Sequence, residues 1–437
     1  MSVAERSMGL GLRALTRLAG SDVVDRLGVR RPAERAVYRA TRDGFRVVDR
    51  AGRTFAAARR GSAPARLPTT GGSGGLFDLA PTDEQEMLVA AWRDFAAEQL
   101  RPRADEAERA TLHDTFREAD ALGLTMLGVP EELGGAVSER SAVTAILAAE
   151  ALAHGDAGLA VGALAPAAVA TALALWGDAD QQATYLPALV GDDVPAAALA
   201  IAEPRALFDP QHLETVARPA AGGYVLSGTK ALVPRAEDAE LLVVAARVDD
   251  ARPALFVVEP ADGGVLVRPD PAMGLRGAAP GRLVLEDVRV HRGALLGEAD
   301  PAVYAECLAR SRVAWAGIAV GVARAVLDHV IPYVNERVAF GEPISHRQAV
   351  AFSVSDIAIE LEGLRLVTLR AAARADAGLD FAREAALARM LCDQRAATIG
   401  SDGVQLLGGH GYVCEHPVQR WYRDLRAVGL MEGVLLA

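Results

Sequence analysis

Lysine is nearly missing from this chain: of its 46 basic residues only Lys230 is a lysine, and the rest are arginines. This bias indicates a GC-rich bacterial genome and carries no functional information. Cysteine is also scarce, with three residues far apart in the sequence, Cys307, Cys392 and Cys414. So small and odd a set excludes a disulfide framework and favours a reducing cytoplasm. The eight histidines show no metal-ligand spacing, so no metal site is predicted.

Aromatic residues make up only 5% of the chain, although 51% of its residues are hydrophobic. Alanine and leucine must therefore fill most of the core, and both residue types favour helices. The 437 residues exceed what one ordinary hydrophobic core accommodates. We therefore expect two or three packed units.

Charge is distributed unevenly along the chain. The net charge is −11, but residues 1–75 contain fifteen arginines against six acidic residues, which leaves an acidic body. That body argues against nucleic-acid binding. The basic extension predicts either contact with an anionic membrane or partner, or a solvated, partly helical tail. Arg13 and Arg17 interrupt the early apolar stretch, so no secretory signal is predicted, and a mitochondrial transit peptide is a minor alternative. The expected location is the bacterial cytoplasm, with membrane association left open.

Four segments follow from the sequence pattern. Residues 1–75 form the basic extension, which closes on the Gly-rich linker 71–75. Residues 76–195 read as a helical domain, in which the pattern Thr82 to Gln85 is suited to capping the first helix. Residues 196–298 form short β-rich runs without alternating helices, which predicts an antiparallel β domain. Residues 299–437 return to helices, with a predicted capping box from Ser345 to Gln348, and form a helical bundle.

One uncharged stretch, 157–177, is long enough to resemble a membrane span. It is rich in alanine, carries Pro166 in its middle and lacks isoleucine and phenylalanine. Its transfer into lipid is therefore only slightly favourable in free energy. A buried helix of a bundle is the better prediction.

The C-terminal segment carries the most specific pattern. A helix is predicted to close on Gly408 and Gly409, and a lone carboxylate, Glu432, follows between the apolar residues Met431 and Val434. A carboxylate in apolar surroundings has the raised pKa that a general base needs, although a solvated helical glutamate is the alternative interpretation. The glycines follow a helix rather than a strand, so a dinucleotide-binding fingerprint is excluded.

This segment resembles the acyl-CoA dehydrogenase family at its most characteristic pattern, and the resemblance extends from about Leu76 to the end. The matching residues are Gln405, Leu407-Gly408-Gly409, Gly411-Tyr412, Glu415-His416-Pro417-Val418-Gln419-Arg420, Arg423-Asp424 and Glu432-Gly433. The resemblance implies a mainly α, α+β fold with an N-terminal helical domain, a middle antiparallel β domain and a C-terminal four-helix bundle. It also implies FAD as cofactor and Glu432 as the base that removes the α-proton of an acyl-CoA, while the flavin accepts the β-hydride.

Further site residues follow from the same resemblance. Arg337 and Phe340, in the pattern R-x-x-F-G, are expected to contact the flavin pyrophosphate and pack on the cofactor of an adjacent subunit. Gln405, Gly408 and Gly409 are expected beside that same FAD, the glycines because bare backbone permits close approach. Two further residues each have two possible roles. Gln348 fits an adenine contact or a helix cap, and Arg312 fits a substrate-side cation or a surface charge.

The predicted flavin face of the β domain departs from the family pattern. The family has T-E-P-x-A-G-S-D where this chain has 202–209, so Ala202 replaces a threonine and Leu207-Phe208 replaces Gly-Ser. Leu232 stands where the family has a tryptophan, and Val434 where it has a threonine. The family also continues for one more helix, whereas this sequence stops at Ala437, so either a truncated chain or an unusually open site is expected.

Two principal functions remain open at this stage. The first is a FAD-dependent acyl-CoA dehydrogenase that passes electrons to an electron-transfer flavoprotein and works as a homo- or hetero-oligomer. The second is a flavin-poor, catalytically impaired subunit that completes the site of a paired homologous dehydrogenase. An oxidase on the same fold is a third possibility, which direct peroxide formation would reveal.

Overall fold

The computed structural model describes residues 55–57, 63–69, 81–139, 141–248 and 252–433. Residues 57–437 belong to one compact unit, and the account below concerns that unit. Most of the basic extension, its linker and the last four residues lie outside the described ranges, so the predictions made for them stay predictions. The short segment 63–69 is described: the amide of Gln182 exchanges hydrogen bonds of 2.8 and 3.0 Å with the backbone of Ala65.

The N-terminal part is helical. Its α-helices are α1 (Asp83–Phe95), α2 (Ala104–Ala107), α3 (His113–Asp120), α4 (Ala142–Gly155), α5 (Ala157–Trp176) and α6 (Ala179–Leu189). Thr82 accepts from the backbone N–H of Gln85, and the side chain of Gln85 accepts in return from the N–H of Thr82, so the predicted cap of α1 is confirmed. Alanines and leucines of α4 and α5 are almost all buried, as their composition predicts.

The middle part is an eight-stranded sheet. Its strands are β1 (Ala197–Ala200), β2 (Val216–Ala220), β3 (Gly223–Val233), β4 (Leu241–Val248), β5 (Arg252–Val258), β6 (Val265–Pro269), β7 (Gly281–His291) and β8 (Leu295–Leu296). The order is β6-β7-β3-β2-β4-β5-β8, with β1 added beside β4. Antiparallel pairs predominate, as predicted, but β1 and β2 both pair parallel to β4, so the sheet is mixed.

The C-terminal part is a helical bundle. It contains α7 (Pro301–Glu336), α8 (Gln348–Asp376), α9 (Ala382–Leu391), α10 (Ala397–Leu407), α11 (Gly409–Tyr412) and α12 (Val418–Val428), and a small hairpin of β9 (Val338–Ala339) and β10 (Glu342–Pro343). A five-residue π-turn joins α9 to α10 without a break. The predicted end of α10 is confirmed, because Gly408 terminates it with φ 58°.

The capping box predicted at Ser345 is wrong. Residues Ile344–His346 form a 3-10 turn, and α8 begins only at Gln348, with Arg347 before it and no side-chain cap. A serine followed three residues later by glutamine satisfies the pattern but not the geometry.

Two described helices, α5 and α7, are long and apolar enough to cross a membrane by length and composition. Within the fold, 94% of the apolar window of α5 and 78% of that of α7 are buried. For α5 this agrees with the predicted buried helix, because its apolar surface is covered by protein rather than available to lipid.

Candidate active site

Glu432 lies at the centre of a buried charged cluster. Its side chain is 4% exposed, and it follows the end of α12 in a segment without regular secondary structure. Two guanidinium groups lie near its Oε1 atom: Nε of Arg312 at 3.9 Å and Nη2 of Arg389 at 3.7 Å. The structure therefore brings together the two residues predicted for the substrate side, Glu432 and Arg312, and adds a cation that the sequence did not indicate.

Ser311 ties Glu432 to the long helix α7. Its hydroxyl donates to Oε2 of Glu432 at 3.4 Å and accepts from the backbone N–H of Gly433 at 3.0 Å. Gly433 has φ 97°, and a Cβ there would meet the carbonyl oxygen of Leu199 at 2.6 Å, so only glycine suits this position. The carboxylate is thus fixed in both its backbone and its side chain.

Burial raises the pKa of the Glu432 carboxyl above its ordinary value, while Arg389 and Arg312 oppose that shift. Burial disfavours the charged form because water is excluded, and a nearby cation favours it. A carboxylate held between these opposing effects is a stronger proton acceptor than a solvated one, yet it can still ionise. This balance is what a general base requires.

An apolar cavity of about 110 Å³ reaches the residue that precedes Glu432. It is lined by Met431, which precedes the carboxylate, by Leu275, and by Leu232 and Pro234 of the β domain. Leu232 and Leu275 have φ values of 54° and 57°, in the left-handed region that ordinary residues rarely adopt. Strained backbone of this kind is concentrated at ligand sites.

The loop that replaces the family's flavin segment is held by a buried ion pair. Glu203 accepts from the backbone N–H groups of Glu214 and Thr215 at 2.7 and 2.9 Å, and from Nζ of Lys230 at 2.9 Å. Leu207, where the family pattern has glycine, has φ 53° and a fully exposed side chain. The backbone conformation that favours glycine is therefore present without the glycine.

The remaining predicted residues form a second group on the surface. Arg337, Phe340, Gln348, Gln405, Gly408 and Gly409 are all exposed. Tyr333 connects the two halves of this group, because its hydroxyl donates to the carbonyl of Leu407 at 3.2 Å. A Cβ added at Gly408 or Gly409 would meet no atom within 4 Å, so the two glycines border open space into which a ligand can fit.

The two groups are too far apart for one cofactor to contact both within a single chain. Arg312 lies in α7, and Arg337 lies just beyond its end. At 1.5 Å per residue this separation is roughly 37 Å.

Arg389, Ser311 and the Lys230–Glu203 pair are contacts that sequence reasoning missed. Arg389 precedes Glu432 by 43 residues, and no local pattern connects the two. Within the described ranges, no group of three or more His, Cys, Asp or Glu residues could hold a metal ion.

Comparison with known proteins agrees with this architecture part by part. Residues 82–193 match the acyl-CoA dehydrogenase N-terminal domain, residues 198–288 the middle domain and residues 302–435 the C-terminal domain. The chain belongs to the acyl-CoA dehydrogenase family. As a member of that family it is an oxidoreductase, and FAD is the family's cofactor.

Individual acyl-CoA dehydrogenases and related enzymes resemble the chain over most of its length. The human mitochondrial short-chain specific acyl-CoA dehydrogenase is 33% identical, over 80% of this chain and 87% of that protein. Acryloyl-CoA reductase (NADH) of Anaerotignum propionicum is 30% identical, over 82% of this chain and 93% of that protein. Butyryl-CoA dehydrogenase of Megasphaera elsdenii has a solved structure with a TM-score of 0.75 at 27% identity, covering 80% of this chain and 95% of that one.

Proposed function

We propose that this chain is a FAD-dependent acyl-CoA dehydrogenase that removes an α-proton and a β-hydride from an acyl-CoA thioester. The observation that carries the proposal is Glu432: a 4% exposed carboxylate, fixed by Ser311 and directly preceded by Met431, which lines the apolar cavity. The α C–H of a thioester is weakly acidic, so its removal needs a positioned base and a polarised carbonyl.

The residues of this chain act on the proton and on the substrate. Glu432 receives the α-proton on its carboxylate, and its own backbone N–H, by resemblance to the family, polarises the thioester oxygen. Ser311 holds the carboxylate and the N–H of Gly433 in place, so little orientation is needed during the reaction. Burial of the Glu432 side chain, which is 4% exposed, limits the access of water to the carboxylate.

The residues present fit FAD. The open cradle at Gly408 and Gly409 and the exposed Arg337 suit a pyrophosphate. When bound, FAD supplies the acceptor for the β-hydride. Phe340 and Gln405, also exposed in the surface group, are accessible for the FAD contacts that the resemblance implies.

Replacing Glu432 by glutamine tests the assignment of the base. We expect Glu432→Gln to lower kcat by at least about 100-fold, because general-base catalysis contributes this much, while FAD stays bound. The measurement is acyl-CoA-dependent reduction of an artificial electron acceptor, alongside the visible flavin spectrum. Glu84→Gln, at an exposed position in the first turn of α1, is the matched control. Activity close to wild type in Glu432→Gln would rule out this base.

The separation along α7 supports a site shared between subunits, because Arg337 lies about 37 Å from Arg312. We therefore propose that the enzyme works as an oligomer, either of this chain alone or with a paired homologous subunit. An electron-transfer flavoprotein is the proposed electron acceptor.

A second candidate function is a flavin-poor subunit that completes the site of a paired dehydrogenase. The strained Leu207 and the leucine at position 232 favour it, since both alter the flavin side of the β domain. The visible spectrum of the purified chain, with and without added FAD, separates the two functions. Flavin bands near stoichiometry favour the dehydrogenase, and a colourless protein that cannot be reconstituted favours the partner subunit.

A further inference from the structure

The turn between α12 and Glu432 is held from helix α9 by one side chain, Arg389. Helix α12 ends at Val428, and its last carbonyl groups lack partners within the helix. Arg389 of α9 donates to the carbonyls of Val428 at 3.2 Å, Gly429 at 2.6 Å and Met431 at 2.8 Å. One guanidinium group therefore caps the helix and holds three of the four residues before the carboxylate.

The same guanidinium also supplies charge to the site. Its Nη2 atom lies 3.7 Å from Oε1 of Glu432, and the two side chains are only 18% and 4% exposed. Little water separates or screens the pair, so the attraction is stronger than at a surface. Arg312 is the second cation at 3.9 Å, but it lies on α7 and is 29% exposed.

We propose that Arg389 is a positioning residue for the base: it fixes the turn that carries Glu432 and keeps its buried carboxylate ionised. The inference rests on the proposed function, because it assigns a role to Arg389 through Glu432. Arg389 itself is placed against the carboxylate and the turn, not against substrate.

Arginine suits both tasks better than lysine would. Its planar fork presents several N–H groups in fixed directions, and here Nη1 reaches two carbonyls while Nη2 reaches a third and faces Glu432. A lysine would keep the positive charge, but its single ammonium group could not donate to the three carbonyls in the same directions. The two tasks can therefore be separated by substitution.

The test compares Arg389→Lys and Arg389→Gln in the FAD-loaded enzyme, with Arg395→Gln as the matched control. Arg395 lies six residues further along the same helical segment and forms a surface ion pair with Glu360. We expect Arg389→Gln to move the acid limb of the kcat/KM profile up by about one pH unit, because an opposite charge this close stabilises the ionised form. Arg389→Lys should keep that limb in place, because the positive charge remains. It should lower kcat about tenfold, because the turn loses the hydrogen bonds that position Glu432.

A second readout does not depend on turnover. Infrared difference spectra of each protein against its Glu432→Gln counterpart give the protonation of Glu432 directly as a function of pH. We expect protonation to persist to higher pH in Arg389→Gln than in wild type, and Arg395→Gln to match wild type.

An unchanged infrared titration and an unchanged acid limb in Arg389→Gln would overturn the proposal. If that variant does not fold, Arg389→Lys decides, and a wild-type kcat there also overturns it. Failure of the proposed function looks different: Glu432→Gln would then retain activity, while the infrared titration would still report whether Arg389 controls the carboxyl.

Discussion

At the scale of single residues, Lys230 forms a buried ion pair, whereas most basic side chains of a protein lie on its surface. It is the only lysine of the chain, and it is fully buried, where its ammonium group donates to Glu203 and to the carbonyl of Ile201 at 3.1 Å. Burial lowers its pKa to about 8, although Glu203 opposes the shift. Its partner Glu203 is also buried, at 5% exposed. Removing either side chain would therefore leave the other as an uncompensated buried charge.

Removing this ammonium group should destabilise the protein. We expect Lys230→Met to lower the free energy of unfolding by about 3 kcal/mol, because it leaves the buried Glu203 without its counter-charge. The double variant with Glu203→Gln should recover part of the loss. Arg218→Met is the control, since it breaks an exposed pair with Asp287 and should cost less than about 1 kcal/mol. Urea denaturation measures all of these, and equal losses in Lys230→Met and Arg218→Met would contradict the argument.

At the scale of elements, glycines set how closely the long helices pack. Gly321 of α7 faces α4, where an added Cβ would lie 2.3 Å from the carbonyl oxygen of Glu150. Backbone cannot move aside as a side chain can, so the two helices would have to separate. Gly363 of α8 differs, because a Cβ there meets nothing within 4 Å.

Alanine at these two positions should therefore have opposite effects. We expect Gly321→Ala to lower the free energy of unfolding by about 1–3 kcal/mol through overpacking. Gly363→Ala should raise it by up to about 1 kcal/mol, since alanine favours the helix and no contact is lost. Denaturation of both variants under one set of conditions provides the comparison. A Gly321→Ala variant as stable as the wild type would contradict the overpacking argument.

The elements also show where sequence patterns suffice. Thr82 and Gln85 predict a cap and form one, because the turn lies at a free helix start. Ser345 and Gln348 have the same spacing, yet the chain is still leaving the β9–β10 hairpin there, and the helix begins later. Strand β1 carries no comparable signal, because its sequence, Ala-Ala-Leu-Ala, has little β propensity. Parallel pairing with β4 places it in the sheet.

In the candidate site, too, some residues could be predicted from sequence patterns and others could not. Glu432 could be predicted because it lies in a sequence pattern with fixed spacing. Arg312 could be proposed because it fits the substrate-side cation of the family, and the structure brings the two within 3.9 Å. Arg389 could not, because its role depends on how α9 packs against the end of α12. A contact between segments distant in sequence produces no local pattern, so it cannot be predicted from one sequence.

At the scale of the whole molecule, helix α12 joins three parts of the fold. Arg423 pairs with Glu108 of the N-terminal part at 2.8 Å and donates to the carbonyl of Met273 in the β domain at 2.8 Å. Asp424 accepts from the backbone N–H of Leu275 at 2.6 Å. Because Met273 and Leu275 also line the apolar cavity, this junction connects the packing of the three parts with the candidate site.

Asp424 makes the junction sensitive to pH. Burial, together with the nearby Asp156, raises its pKa from an ordinary 3.8 to about 7. Between these values the folded protein holds a proton that the unfolded chain releases. The resulting stability is fully present below about pH 4 and is lost as the pH rises through about 7.

Asparagine at position 424 should remove this dependence, because it keeps an acceptor for Leu275 and cannot ionise. We expect the Tm of the wild type to fall more than that of Asp424→Asn between about pH 5 and about pH 8. Asp114→Asn, which alters a carboxylate that is 60% exposed, should follow the wild type. If the Tm of Asp424→Asn falls as steeply as that of the wild type, the proton is held elsewhere, and the junction does not determine how stability varies with pH.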